Sequence, residues 1–154
     1  MIRPARPDEA DRLSALAYRS KAHWGYEPEQ MEVFRGELTL APDAVPASHA
    51  HVHEERGALQ GFYSLADLGG GRIELEHLFV DPEALRQGIG ARLFHHACGV
   101  AHDQGADTLF IQSDPNAAGF YRTLGAIFVA DVPSSVPGRT LPTFEFALAT
   151  AGSP

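Results

Sequence analysis

The sequence predicts an α+β fold built on a mixed, mainly antiparallel sheet, and three observations predict it. Three strand-like runs follow one another through "AHVHEERGALQGFYSLADLGGGRIELEHLFV", residues 50–80, broken only by short glycine turns, which makes an antiparallel meander. A helical pattern then separates the third run from the buried strand "DTLFIQS", so these two strands are expected to be parallel neighbours joined by a crossover. Finally, "AIFVADV" and "TFEFALA" flank the Pro- and Gly-rich loop "PSSVPGRTLP" and read as a second antiparallel pair.

A short strand opens the chain around Ile2 and Arg3. In "DEADRLSALAYRSKA", Leu13, Leu16 and Ala17 recur at helical spacing, with Asp8 as the expected cap. A second helix begins at Pro28, a favoured first-turn position, and carries Met31, Phe34 and Leu38. Between the two helices "HWGYEP" is an exposed connection. The meander turns at Arg56-Gly57 and at Gly69-Gly70-Gly71. From Gly90, Ile89, Leu93, Ala97, Val100 and Ala101 hold one helical face until Gly105 closes it. A short helix, "NAAGFYRTLG", ends at Gly125. No internal repeat or long linker interrupts the chain, so residues 1–148 are expected to form a single domain and 149–154 a frayed tail.

Composition narrows the function classes. The chain of 154 residues can bury a core without staples, and its single cysteine, Cys98, permits no internal disulfide. Cys98 sits in an apolar helical pattern and reads as a small core residue. No segment has the apolar length of a signal or a membrane span, so a soluble cytoplasmic protein without membrane partners is expected. The formal net charge of −8 argues against nucleic-acid binding and favours neutral or cationic small partners.

The densest chemistry lies in "LFVDPEALRQGIGARL", residues 78–93. Glycine inside a helical first turn costs about 1 kcal/mol relative to alanine, so Gly88 and Gly90 call for a reason beyond propensity. A strand that ends in glycines and opens a helix presents backbone N–H groups and the positive end of the helix dipole to an anion. Arg86 adds a positive side chain. No Lys-Ser/Thr follows the glycines and the third glycine of a dinucleotide fingerprint is missing, which disfavours both of those phosphate sites. A tight turn without a ligand is the plain alternative.

This stretch, together with "SDPNAAGFYRTLGA", resembles the GNAT superfamily of acyl-CoA-dependent N-acetyltransferases, most specifically over residues 74–126. The resemblance implies a GNAT-like sheet of about six or seven strands with helices on both faces, and acetyl-CoA as cosubstrate without a metal. It implies that Leu85, Arg86, Gln87, Gly88, Ile89, Gly90 and Ala91 surround the pyrophosphate. Leu85 departs from the family, which usually has Gln or Arg there; Arg86 is the nearest substitute. By the same resemblance the backbone of Leu78, Phe79 and Val80 pairs with the pantetheine arm, while Asn116 and Phe120 contact the cofactor from the later helix.

Acyl transfer to an amine needs a deprotonated amine, a polarised carbonyl and a proton for the departing thiolate. Tyr121 matches the family's thiolate-protonating tyrosine, although Phe120, Tyr121 and Leu124 also suit an ordinary core face. Glu74 and Glu76 project from one strand face, and either matches the family's base by position. His49, His51 and His53 alternate along a strand, yet no carboxylate or cysteine completes a metal site. His77, His95 and His96 lack a nucleophile at recognisable spacing. Trp24 and Tyr26 are placed to line an acceptor pocket, with Arg139 facing an acceptor carboxylate or Glu27, Glu29 and Glu32 a polyamine. The expectation is therefore an acetyl-CoA-dependent N-acetyltransferase of a small primary amine, acting in a ternary complex. Peptide amines and a noncatalytic acyl-CoA sensor are the alternatives, and a homodimer is a family-level expectation.

Overall fold

The computed structural model describes residues 1–148, so the expected tail at 149–154 lies outside the described residues. Seven strands form one sheet in the order β1-β2-β3-β4-β5-β7-β6. They are β1 (Ile2–Pro4), β2 (His51–Glu55), β3 (Ala58–Gly69), β4 (Arg72–Val80), β5 (Thr108–Gln112), β6 (Ile127–Pro133) and β7 (Thr140–Ala147). The helices are α1 (Ala10–Ala22), α2 (Pro28–Leu38), α3 (Ala44–Ala47), α4 (Ile89–Asp103) and α5 (Ala118–Thr123). Among the described residues, no helix is long and apolar enough to cross a membrane.

The chain divides into two compact units, the first made of Met1–Ser64 and His77–Phe94. In it β2 runs antiparallel to both β1 and β3, with His53 opposite Ile2 on one side and Gly61 on the other. The expected faces of α1 and α2 are buried through Leu13, Leu16, Ala17, Met31, Phe34 and Leu38. Asp8 is not the cap that the sequence suggests. It lies inside a 3-10 turn, Pro7–Glu9, and Glu9 instead accepts the Arg6 N–H at 2.9 Å. Tertiary charge selects Glu9 over Asp8, because its buried carboxylate also receives the Arg3 guanidinium at 2.8 Å and 3.0 Å. Those hydrogen bonds outweigh the cost of burial and hold Glu9 down to about 2.

The second unit comprises Leu65–Glu76 and the chain from His95 onward. Here β4 and β5 are parallel, as the crossover requires, with Arg72, Ile73 and Glu74 opposite Thr108, Leu109 and Phe110. The pair β6 and β7 is antiparallel as expected, but β7 inserts between β5 and β6. Leu109, Ile111 and Phe144 are buried at its centre.

Candidate active site

In the first unit, β4 leads through a 3-10 turn and a glycine turn into α4. Asp81 caps the 3-10 turn, Pro82–Ala84, by accepting the Glu83 N–H at 3.0 Å, and Arg19 of α1 grips the same carboxylate at 2.7 Å. The chain then turns left-handed twice, at Arg86 (φ 64) and Gly88 (φ 76), before α4 starts at Ile89. What favours glycine at 88 is this φ and not a lack of space, since an added Cβ would meet nothing nearer than Arg92 Nη2 at 3.8 Å. Gly90 keeps ordinary helical φ, so its place in the motif is not explained by backbone conformation.

The first intrahelical bond of α4 runs from the Arg92 N–H to the Gly88 carbonyl at 3.1 Å. The amides before it belong to the helix's unpaired first turn. Leu85, Arg86, Gln87 and Gly88 are exposed, whereas the Ile89 side chain is buried in the core, leaving only its backbone to serve a ligand. An exposed turn that leads into the N-terminus of a long helix and carries an arginine has the features of an anion site.

Leu78, Phe79 and Val80 are half-buried and lie past the end of the parallel β4 ladder, which covers only 72–74. The Phe79 ring packs among Phe62 and His77 at 5.9 Å from each. A residue the sequence did not single out governs this spot. A Cβ at Gly61 would stand 2.8 Å from the Phe79 carbonyl oxygen and 2.9 Å from Leu93 Cδ1, so only glycine lets β3, β4 and α4 approach this closely. Nearby, His77 does have a hydroxyl partner. Its Nδ1 lies 2.7 Å from the Ser64 hydroxyl, and its Nε2 lies 3.0 Å from the Glu37 carbonyl, which can only accept. Ser64 is fully buried, which suits a structural link and not a nucleophile.

The second unit holds the acid–base candidates. Glu74 is half-buried, and burial, followed by the charge of Glu76, raises its pKa above the ordinary glutamate range; Glu76 is exposed. Tyr121 of α5 is buried against Phe120 at 5.1 Å and Phe144 at 6.2 Å. Burial, and then the charge of Asp114, raises its pKa, so the phenol stays protonated at neutral pH. Phe120 is partly exposed. Asn116 is exposed, and its backbone and side-chain N–H groups both reach Asp114, at 2.8 Å and 2.9 Å. Arg139 is drawn to the same Asp114 at 3.4 Å, with its side chain largely covered, so its charge is already engaged inside this unit.

The remaining candidates separate. Tyr26 packs edge-on against Phe34 at 5.1 Å, whereas Trp24 is 48% exposed and available. The alternating histidine face breaks up, because His49 is left-handed (φ 51) and precedes β2, and His53 is buried. Among the described residues no group of three or more His, Cys, Asp or Glu is placed to hold a metal ion. Burial pushes the Cys98 thiol up to about 11, which makes it a poor nucleophile.

Residues 16–136 match the acetyltransferase (GNAT) domain family, well over half of the chain. The chain belongs to the GNAT acetyltransferase family. It is accordingly an acetyl-CoA-dependent N-acetyltransferase. Solved structures share the fold at low identity. A GCN5-related N-acetyltransferase from Rhodopseudomonas palustris is 22% identical, covering 96% of this chain and 95% of that one, with a TM-score of 0.78. The PaiA N-acetyltransferase from Thermoplasma acidophilum, in complex with coenzyme A, is 19% identical over 96% and 98%, with a TM-score of 0.75. The putative acetyltransferase YncA from Salmonella typhimurium, with its cofactor acetyl-CoA, is 19% identical over 100% and 96%, at 0.72. No curated protein matches the chain.

Proposed function

We propose that this GNAT enzyme acetylates the primary amine of a small molecule by direct transfer, with Glu74 as base and Tyr121 as acid. The observation that carries the assignment is the split within the second unit: a carboxyl whose pKa is raised by burial, and a phenol held protonated by burial. Acetyl-CoA supplies the activated thioester. Backbone N–H groups at 87–91, with the Arg86 guanidinium, hold its pyrophosphate, and the backbone of 78–80 aligns the arm that carries the acyl group.

The acceptor arrives as an ammonium and must lose a proton before its nitrogen can attack. Glu74 takes that proton, directly or through water, and its raised pKa makes it a better base than an exposed glutamate. As the new C–N bond forms and the C–S bond breaks, the sulfur receives a proton from the Tyr121 hydroxyl, and the second proton shed by the acylated nitrogen restores that hydroxyl. A phenol with a raised pKa is a weak acid toward a solvated thiolate. In a dry site the thiolate's own proton affinity rises as well, so the transfer is better matched than in water. The small-amine assignment is supported by the exposed Trp24 and by the net charge of −8, which favours cationic acceptors.

The test is acetyl-CoA binding by calorimetry, with desulfo-CoA for comparison, followed by a thiol-release screen over diamines, aminoglycosides, amino acids and peptides. Thiol release on a small-amine class establishes the assignment. Release only with peptides overturns the small-molecule part, and binding without release on any class overturns the catalytic roles given to Glu74 and Tyr121.

A further inference from the structure

The glycine turn is held from behind by a side chain that plays no part in the reading above. Arg92 Nη2 donates to the Gln87 carbonyl at 2.7 Å, while the Arg92 main-chain N–H donates to the Gly88 carbonyl at 3.1 Å. One residue therefore fixes two consecutive peptide planes. In a trans peptide the carbonyl and the following N–H point in opposite directions, so pinning these oxygens aims the N–H groups of Gly88 and Ile89 away from Arg92. They are two of the amides that the turn offers an anion.

Arg92 is itself held by His53 of β2, whose Nε2 lies 3.3 Å from Arg92 Nη1. A guanidinium only donates, so Nε2 must be the accepting nitrogen and the ring proton sits on Nδ1. His53 is 3% exposed, and its Nδ1 has no partner. The tautomer is therefore set by Arg92, at the expense of an unmatched buried donor. The charged and polar groups facing this ring are Arg92 from α4, the terminal ammonium of Met1 from β1, Glu55 from its own strand and the Gln60 side chain from β3. Burial and the two cations disfavour the charged ring more than Glu55 and Gln60 favour it.

Resting on the reading that this turn binds the pyrophosphate of acetyl-CoA, we propose that Arg92 is a positioning residue for the cofactor and that protonation of His53 releases it. A proton on Nε2 turns the acceptor into a donor facing a guanidinium. The contact becomes repulsive, Arg92 loses its brace, and the Gln87–Gly88 peptide is free to rotate. Cofactor affinity then falls in acid through a group that never touches the ligand.

The experiment is acetyl-CoA calorimetry from pH 8 to about pH 4.5, far enough into acid to charge a histidine whose pKa is lowered, on the parent, Arg92→Gln and His53→Gln, with thermal unfolding recorded for each. The expected results are about fivefold to twentyfold weaker binding for Arg92→Gln at pH 8, and an acid loss of affinity in the parent that His53→Gln largely lacks. Comparing profiles cancels the titration of the ligand's own phosphates. Parent-like binding by Arg92→Gln overturns the inference while leaving the turn as the cofactor site. Absence of binding by the parent overturns the phosphate reading first and this inference with it. Parallel pH profiles for parent and His53→Gln overturn the histidine arm. Should His53→Gln not fold, an NMR titration of the parent serves instead: the His53 ring and the Gly88 amide must shift with one midpoint, and separate midpoints refute the link.

Discussion

Gly61→Ala is the sharpest test of how the fold shapes the cofactor side of the site. The new Cβ would sit 2.8 Å from the Phe79 carbonyl oxygen and 2.9 Å from Leu93 Cδ1. An ordinary carbon–oxygen contact is about 3.3 Å or longer, so β4 must retreat by about 0.5 Å to relieve the first contact. The second requires Leu93 to shift as well, and Leu93 is fully buried. Overpacking of this kind costs about 1–3 kcal/mol, or about 2–12 °C in melting temperature for a chain of this size. Because the displaced atom belongs to the backbone of Phe79, acetyl-CoA binding should weaken by about threefold to tenfold as well. Differential scanning fluorimetry and calorimetry read the two effects, with Gly99→Ala as control: nothing lies within 4 Å of a Cβ there and the site is mid-helix, so it should be neutral or stabilising by up to about 1 kcal/mol. Parent-like stability and affinity in Gly61→Ala would refute the claim that this glycine sets the position of β4.

Three further outcomes follow from the site. Tyr121→Phe should keep the ring packing against Phe144 and cut turnover by about one to three orders of magnitude with little change in cofactor affinity; undiminished steady-state turnover would remove it from the mechanism. Glu74→Gln should lower turnover far more than Glu76→Gln. Because the Glu74 pKa is raised, the base form accumulates as pH rises through a value above the ordinary glutamate range, so the acid limb of the parent's kcat/KM profile should lie above that range and vanish in Glu74→Gln. Arg86→Gly retains the left-handed turn while deleting the guanidinium, so a Kd raised by about threefold to tenfold would assign a phosphate contact to the side chain, and an unchanged Kd would show that backbone alone suffices.

Much of the fold was legible because its signals are local. Glycine turns at Arg56-Gly57 and Gly69-Gly70-Gly71 set off β2, β3 and β4, and the helix between β4 and β5 forced a parallel pair. What stayed hidden was decided at a distance. The insertion of β7 between β5 and β6 depends on which edge is free, and no periodicity encodes that. Asp8 is the cap that the sequence suggests, and nothing local shows that Glu9 is instead buried and held by Arg3, a residue brought close by folding. The three alternating histidines share a face only if all lie in the strand, and the left-handed backbone at His49 takes the first of them out.

The same division explains the site. A pyrophosphate is bound largely by backbone, so its requirements, left-handed residues followed by a helix start, must fall on contiguous positions and can be read as a motif. The parts that tune it do not. Gly61 is one unremarked glycine in a strand, Ser64 and His77 meet across strands, and Arg92 and His53 come together only once α4 packs beside β2. Glu74 and Glu76 show the limit most plainly: alternation puts both on one face, and it is folding that half-buries Glu74 and leaves Glu76 exposed. Acceptor recognition is a matter of side chains brought together by the fold, and the exposure of a residue such as Trp24 follows from no spacing rule, so the acceptor must be found by assay.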